Sequence, residues 1–140
     1  MKAYGVSASA LLCLCVCAAT KECNLQGQWR NNLGSNLTVN SVTKGGRFTG
    51  AYMTAVSSVD AKIVESALTG FWKPSEQPIF GFAVKWAFSD SLTVWAGQCF
   101  LNDQKEEILH TTWLLRSKQD NEQDNWKATR IGVDVFTRLK

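Results

Sequence analysis

Proline is scarce, with only 2 residues in 140, and no apolar heptad persists, which excludes collagen-like and coiled-coil fibres. Charge of one sign is also lacking. The formal net charge is +3, and Lys and Arg are scattered, so there is no electrostatic footprint for nucleic acid. Histidine occurs once, as His110, and there is no His-Glu-x-x-His zinc motif. A Gly-x-Ser-x-Gly elbow and a phosphate loop are missing too, and no pair of carboxylates is spaced for acid–base work. Nothing here argues for an enzyme, a cofactor or a metal. What remains is 45 % apolar residues, ordinary for a folded globular domain, in a length that suits one domain. Six Trp are the compositional outlier.

Residues 1–19 read as a secretory signal peptide. A basic start, Met1-Lys2, precedes the apolar block Ala10–Val16, and the small residues Cys17, Ala18 and Ala19 follow. The block is short for a membrane anchor, since a bilayer core is ~30 Å thick. Cleavage near Ala19 makes the product extracellular, with 14 basic and 12 acidic residues. Three of the five Cys leave with the leader. The remaining Cys23 and Cys99 are expected to pair in an oxidising compartment. Asn36-Leu37-Thr38 is a glycosylation sequon, with Asn36 as the candidate acceptor.

The rest of the chain alternates with a period of two. Phe80, Phe82, Val84, Trp86 and Phe88 share one face, as do Phe48, Gly50, Tyr52 and Thr54. Ser91, Thr93, Trp95, Gly97 and Cys99 form a third such set, and Leu109, Thr111, Trp113 and Leu115 a fourth. Gly132, Asp134, Phe136 and Arg138 close the series. Turn signals separate eight expected strands, at 27–31, 36–42, 47–54, 65–72, 79–88, 91–101, 107–116 and 126–138. No helical stripe of useful length appears. Short connections favour antiparallel neighbours, so the expected fold is an all-β, eight-stranded antiparallel up-and-down barrel.

The inward faces mix aromatics with Ser, Thr, Asn and Asp. An unpartnered buried polar group costs about 1–3 kcal/mol, so this mixture suits a ligand cavity better than a plain core. The last two strands are apolar on their outer faces as well, at Ile108, Leu114, Ile131, Val133 and Val135. Such a patch marks an interaction surface, so the barrel walls are expected to join copies of the chain into an oligomer.

Several blocks then resemble one family. Asn31-Asn32-Leu33-Gly34-Ser35-Asn36, Phe48-Thr49-Gly50-Ala51-Tyr52, Gly97-Gln98-Cys99-Phe100, Thr112-Trp113-Leu114-Leu115-Arg116-Ser117 and Trp126-Lys127-Ala128-Thr129-Arg130 resemble the avidin–streptavidin family in order and spacing. The likeness spans Glu22 to Lys140, and the main departure in spacing is the shorter Phe71–Glu76 segment. The resemblance implies a secreted homotetramer of barrels over 22–140, each binding biotin non-covalently, with biotin as ligand and not as cofactor. It places Asn31, Ser35 and Tyr52 as donors to the ureido oxygen, and Thr54 and Asp134 as acceptors of the ureido N–H groups. Family members differ at the last position, some carrying Asn and some Asp. Thr93 is implied at the thioether sulfur. Ser89, Ser91 and the loop Ser57-Ser58-Val59 are implied at the tail carboxylate. Trp86, Phe88, Trp95 and Trp113 wall the rings, with Leu33 and Leu115 beside them. Trp126 is implied to reach a neighbouring subunit's ligand, while Trp29 closes the base under Arg138. Sequestering biotin from microbes is the role the family suggests. A lipocalin-like carrier of another apolar ligand shares the Gly-x-Trp start, but leaves the polar set Asn31, Ser35, Tyr52, Thr54 and Asp134 unexplained. A ligand-free structural protein is the remaining alternative.

Overall fold

The computed structural model describes residues 21–57 and 60–140. Residues 1–19, expected to be a leader, and the pair Ser58 and Val59 lie outside these described residues. Eight strands follow in order: β1 (Gly27–Asn31), β2 (Asn36–Val42), β3 (Arg47–Met53), β4 (Ser66–Lys73), β5 (Ile79–Lys85), β6 (Ser91–Leu101), β7 (Glu107–Ser117) and β8 (Thr129–Arg138). Each pairs antiparallel with its neighbour in sequence, and β8 returns to β1 through Trp29–Arg138 and Asn31–Phe136, closing the barrel. Closure leaves no free sheet edge.

Alternation decides what the barrel encloses. Trp29, Leu37, Val39, Phe48, Tyr52, Leu68, Phe82, Val84, Leu109 and Phe136 are buried inside. Cys23 and Cys99 form a disulfide with Cα atoms 6.1 Å apart, tying the segment before β1 to β6. That segment folds across the base, where the Trp29 indole donates to the Leu25 carbonyl at 2.9 Å.

The expected strand boundaries match the structure to within a residue or so except in two places. Alternation carries the fifth strand to Phe88, but it ends at Lys85. The Ala87 N–H donates to Ser66 Oγ at 2.9 Å, so it makes no ladder bond, and Trp86–Asp90 becomes a wide connection. The last strand, expected from Trp126, starts at Thr129, because Glu122–Lys127 forms a short 3-10 helix. Asn121 caps it, accepting from the Asp124 N–H at 3.1 Å. Glu122 and Asp124 in the first turn and Lys127 in the last suit its dipole. The helix buries no residue, so it carries no apolar stripe for periodicity to detect.

Candidate functional site

At the end opposite the Trp29 plug, the barrel opens onto a cavity of about 550 Å³. That volume suits a small organic ligand. Among the described residues its one buried carboxylate is Asp134, on the inward register of β8. Asn31 Nδ2 donates to its Oδ1 and Trp95 Nε1 to its Oδ2, both at 3.2 Å. Burial raises the Asp134 pKa above the ordinary carboxylate range, although these two donors oppose the rise.

Asn31 is fixed by its own turn. Its Oδ1 accepts from the N–H groups of Leu33 at 3.1 Å and Ser35 at 2.9 Å, which orients Nδ2 toward the cavity floor. Ser35 is buried, and its Oγ accepts from the Ala55 N–H at 3.0 Å, leaving the hydroxyl proton for another acceptor. Tyr52 lies beside it. Burial, reinforced by the charge of Asp134, pushes the phenol far above its usual range, so it remains a proton donor.

The aromatic wall is ordered by ring contacts. Tyr52 stacks on Trp95 at 4.9 Å between centroids, Trp95 stacks on Phe82 at 5.0 Å, and Trp86 meets Tyr52 edge-on at 5.6 Å. Trp86 Nε1 donates to Thr93 Oγ1 at 2.8 Å, so the Thr93 hydroxyl keeps its proton free to point at a ligand. Trp113 completes one side. Gly132 is opposite it in β8, and any Cβ there would strike the indole, so the wall requires glycine at that position.

Toward the mouth, the Ser89 and Ser91 hydroxyls are 2.6 Å apart, and Ser57, Phe88, Leu33 and Leu115 also line the cavity. Thr54 lies one residue beyond β3, not within it. Its hydroxyl donates to the Val56 carbonyl at 2.8 Å and accepts from the Val56 N–H at 3.2 Å, leaving one lone pair toward the cavity.

Fifteen of the eighteen residues expected at the site therefore line one cavity. Ser58 and Val59 fall outside the described residues, and Trp126 is not on the lining. Trp126 is 81 % exposed on the 3-10 helix. Alternation does not single out Ser66, which anchors the Trp86 connection, or the lining residues Asp90, Lys118 and Arg130. Arg130 carries a signal, since it shares the face of Gly132 and Asp134. Among the described residues no cluster of His, Cys, Asp or Glu is arranged to hold a metal ion.

A closed antiparallel barrel, plugged at one end and opening at the other onto aromatic walls with converging donors and acceptors, defines a small-ligand-binding barrel. The avidin family model matches residues 19–139, and the chain belongs to the avidin family. It is 47 % identical over 125 residues to avidin of Gallus gallus, covering 87 % of this chain and 82 % of that one. It is 48 % identical to avidin-related protein 4/5 of the same organism, over 86 % of this chain and 81 % of the relative. Among solved structures, xenavidin superposes with a TM-score of 0.83 at 64 % identity, over 84 % of this chain and 99 % of that one. A biotin binding protein from chicken also gives 0.83, at 48 % identity over 86 % and 100 % of the two chains. No enzyme is among these relatives.

Proposed function

We propose that this chain is a secreted biotin-binding protein that acts as a homotetramer. One observation carries the ligand assignment: three donors, Asn31, Ser35 and Tyr52, and one carboxylate acceptor, Asp134, meet at the closed end of an aromatic cavity. A ureido group needs this set. Its oxygen takes the three donors, which draws negative charge onto it and sharpens the ureido N–H groups as donors to Asp134 and Thr54. Asp134 costs more to desolvate than an amide, but it is the stronger acceptor. Thr93 offers its proton to the thioether sulfur. Ser57, Ser89 and Ser91, with Ser58 and Val59 of the same loop, take the tail carboxylate. The site is preformed, so little ordering cost remains at binding.

Assembly follows from the outer wall. Ile131 and Val133 are 69 % and 74 % exposed, and Leu92, Val94, Leu114 and Val135 extend the same apolar face across β6, β7 and β8. A second copy of the barrel would cover this face. The exposed Trp126 would then cap a neighbour's ligand, coupling affinity to assembly. In this reading residues 1–19 are the removed leader, 22–140 form the binding domain, and Asn36, on the outward register of β2, is the glycan acceptor. Biotin withheld from microbes is the biological role.

Native mass spectrometry of the secreted protein, with and without excess biotin, tests this reading. The expected species is a tetramer gaining one biotin per subunit. A barrel that ignores biotin would return the cavity to a carrier of another apolar ligand. Trp126→Lys is expected to speed biotin release and loosen the tetramer together. An unchanged release rate would remove the cap across subunits.

A further inference from the structure

The cavity does not end where a free biotin would. Its mouth is lined by Arg130, Lys118 and Asp90, none of which the ureido, thioether and valerate contacts use. Arg130 sits opposite Leu115 in the β7–β8 ladder, and Leu115 sits opposite the buried Thr93. Arg130 therefore belongs to the inward register, although it is solvent-exposed at the rim. Among the described residues its guanidinium has no hydrogen-bond or ion-pair partner. Lys118 and Asp90 form a loose pair at 3.8 Å with both side chains largely exposed, while the Lys118 N–H donates to the Asp90 carbonyl at 2.8 Å and fixes the two backbones together.

Dimensions say what such a rim reads. Arg130 is four residues from Asp134, about 13 Å along the strand and about 10 Å along the axis of a tilted barrel. Its side chain extends up to about 7 Å further, so the guanidinium sweeps a band about 10–17 Å above the ureido acceptor. Biotin's ureido nitrogen lies seven bonds from its carboxyl carbon, about 9 Å at roughly 1.3 Å per bond, so with the ~3 Å hydrogen bond to the acceptor that carbon stands at most about 12 Å up, in the lowest part of the band. A lysine joined through its ε-amine doubles the path to fourteen bonds, up to about 18 Å, and its flexible chain brings the α-carboxylate within the band. The same lysine carries an α-ammonium one atom from that carboxylate.

The geometry points to a zwitterion subsite at the cavity mouth, in which Arg130 and Lys118 take the α-carboxylate of a biotinyl-ε-lysine and Asp90 takes its α-ammonium. The ligand class is biotin still attached to the free amino acid left when a biotinylated protein is digested. The assignment rests on the biotin reading of the inner cavity and deepens it. It distinguishes the free biotinyl amino acid from the same group within a peptide, whose backbone carries neither charge.

The test compares release rates of biotinyl-ε-lysine, its N-acetyl carboxamide and the uncharged biotinyl-pentylamide, with free biotin as reference. The zwitterion is expected to leave roughly 1.5- to fivefold more slowly than the two uncharged amides, the range of a solvent-exposed ion pair. High salt should shrink the ratio. Arg130→Gln should bring it toward one, and Arg130→Lys should restore most of it. Equal release of all three amides while free biotin binds would overturn the subsite alone. Failure of free biotin to bind would overturn the inner-cavity reading, and the subsite with it. Slower release of the carboxamide to the same degree as the zwitterion would also overturn it, by showing that the lysyl chain and not its charges makes the contact.

Discussion

The two ends of this barrel are built from the same strands with the same alternation, yet one is sealed and the other is open. At the base, β1 and β8 present Trp29 and Phe136, both fully buried, and the segment ending in Leu25 covers them. The charge there is fully engaged. Arg138 lies 4.2 Å over the Trp29 ring, donates to Glu107 at 2.5 Å, and also bonds the carbonyls of Gln26 and Asn24. Two positions up each strand the residues become Asn31 and Asp134, and their hydrogen-bonding capacity is only partly used inside the protein. Whether polar groups are finished or left with capacity to spare is what separates plug from pocket. The chain places its stability at one end and its binding potential at the other.

That separation breaks most visibly at the plug. Trp29→Ala removes a fully buried indole, its bond to Leu25 and the surface on which Arg138 rests, and is expected to cost about 3–5 kcal/mol of stability. Denaturant unfolding followed by far-UV circular dichroism checks this. A loss under about 1 kcal/mol, small beside the usual cost of truncating a buried aromatic, would mean that the base is held by the Cys23–Cys99 bridge and not by its packing.

The opposite end should respond in the opposite way. Asp134→Ala takes an acceptor from the ligand and leaves the Asn31 amide and the Trp95 indole without theirs, so biotin affinity is expected to fall by about 2–4 kcal/mol. Thr112→Ala, on the outer face of the same wall, should change affinity little. Equal effects in competition titrations would dismiss the ureido assignment. The raised pKa of Asp134 adds a pH test. Binding uses the ionised form, so affinity should begin to fall on acidification above the range where an ordinary Asp protonates. Apo stability has the other sign. The folded state holds this proton more tightly than the unfolded chain does, so the Asp134 contribution declines as pH rises from the unfolded pKa through the folded one.

Much of this contrast is legible in the sequence, and physics explains what is hidden. A period of two survives in any strand with one buried face, so alternation together with turn signals marks eight strands and puts Tyr52, Thr93, Trp95 and Asp134 on alternating faces, while Asn31 is placed by the family resemblance. The pairing of Cys23 with Cys99 is legible too, once Cys13, Cys15 and Cys17 are assigned to the expected leader. Contacts made where the ladder stops are the hidden ones. Trp86 keeps the strand parity but sits in a connection, and its bond to Thr93 joins a loop to a strand. Trp126 reads as strand until the capped turn at Asn121 is seen. Arg130 lies on the face that alternation assigns to it. An inward-facing arginine has meaning only once the barrel is known to open at that end.

The mildest test sharpens the comparison at the base. Burial pushes the Glu107 carboxyl upward, but the Arg138 guanidinium and the Asn24 N–H outweigh it and hold the group below its ordinary range. A depressed folded pKa gives stability that is fully present above the unfolded pKa and is lost as pH falls through the folded one. Glu107→Gln keeps the shape and removes the charge. Because the ion pair is partly solvent-exposed, the expected cost at neutral pH is about 1 kcal/mol, disappearing in strong acid where the wild-type carboxyl is also neutral. Thermal melts across the acid range should show the two proteins converging as pH falls. Biotin release at neutral pH should stay the same in both, because the plug and the pocket are separated by the Trp29–Phe136 layer. A release rate that moved with Glu107 would show the two ends to be one coupled unit.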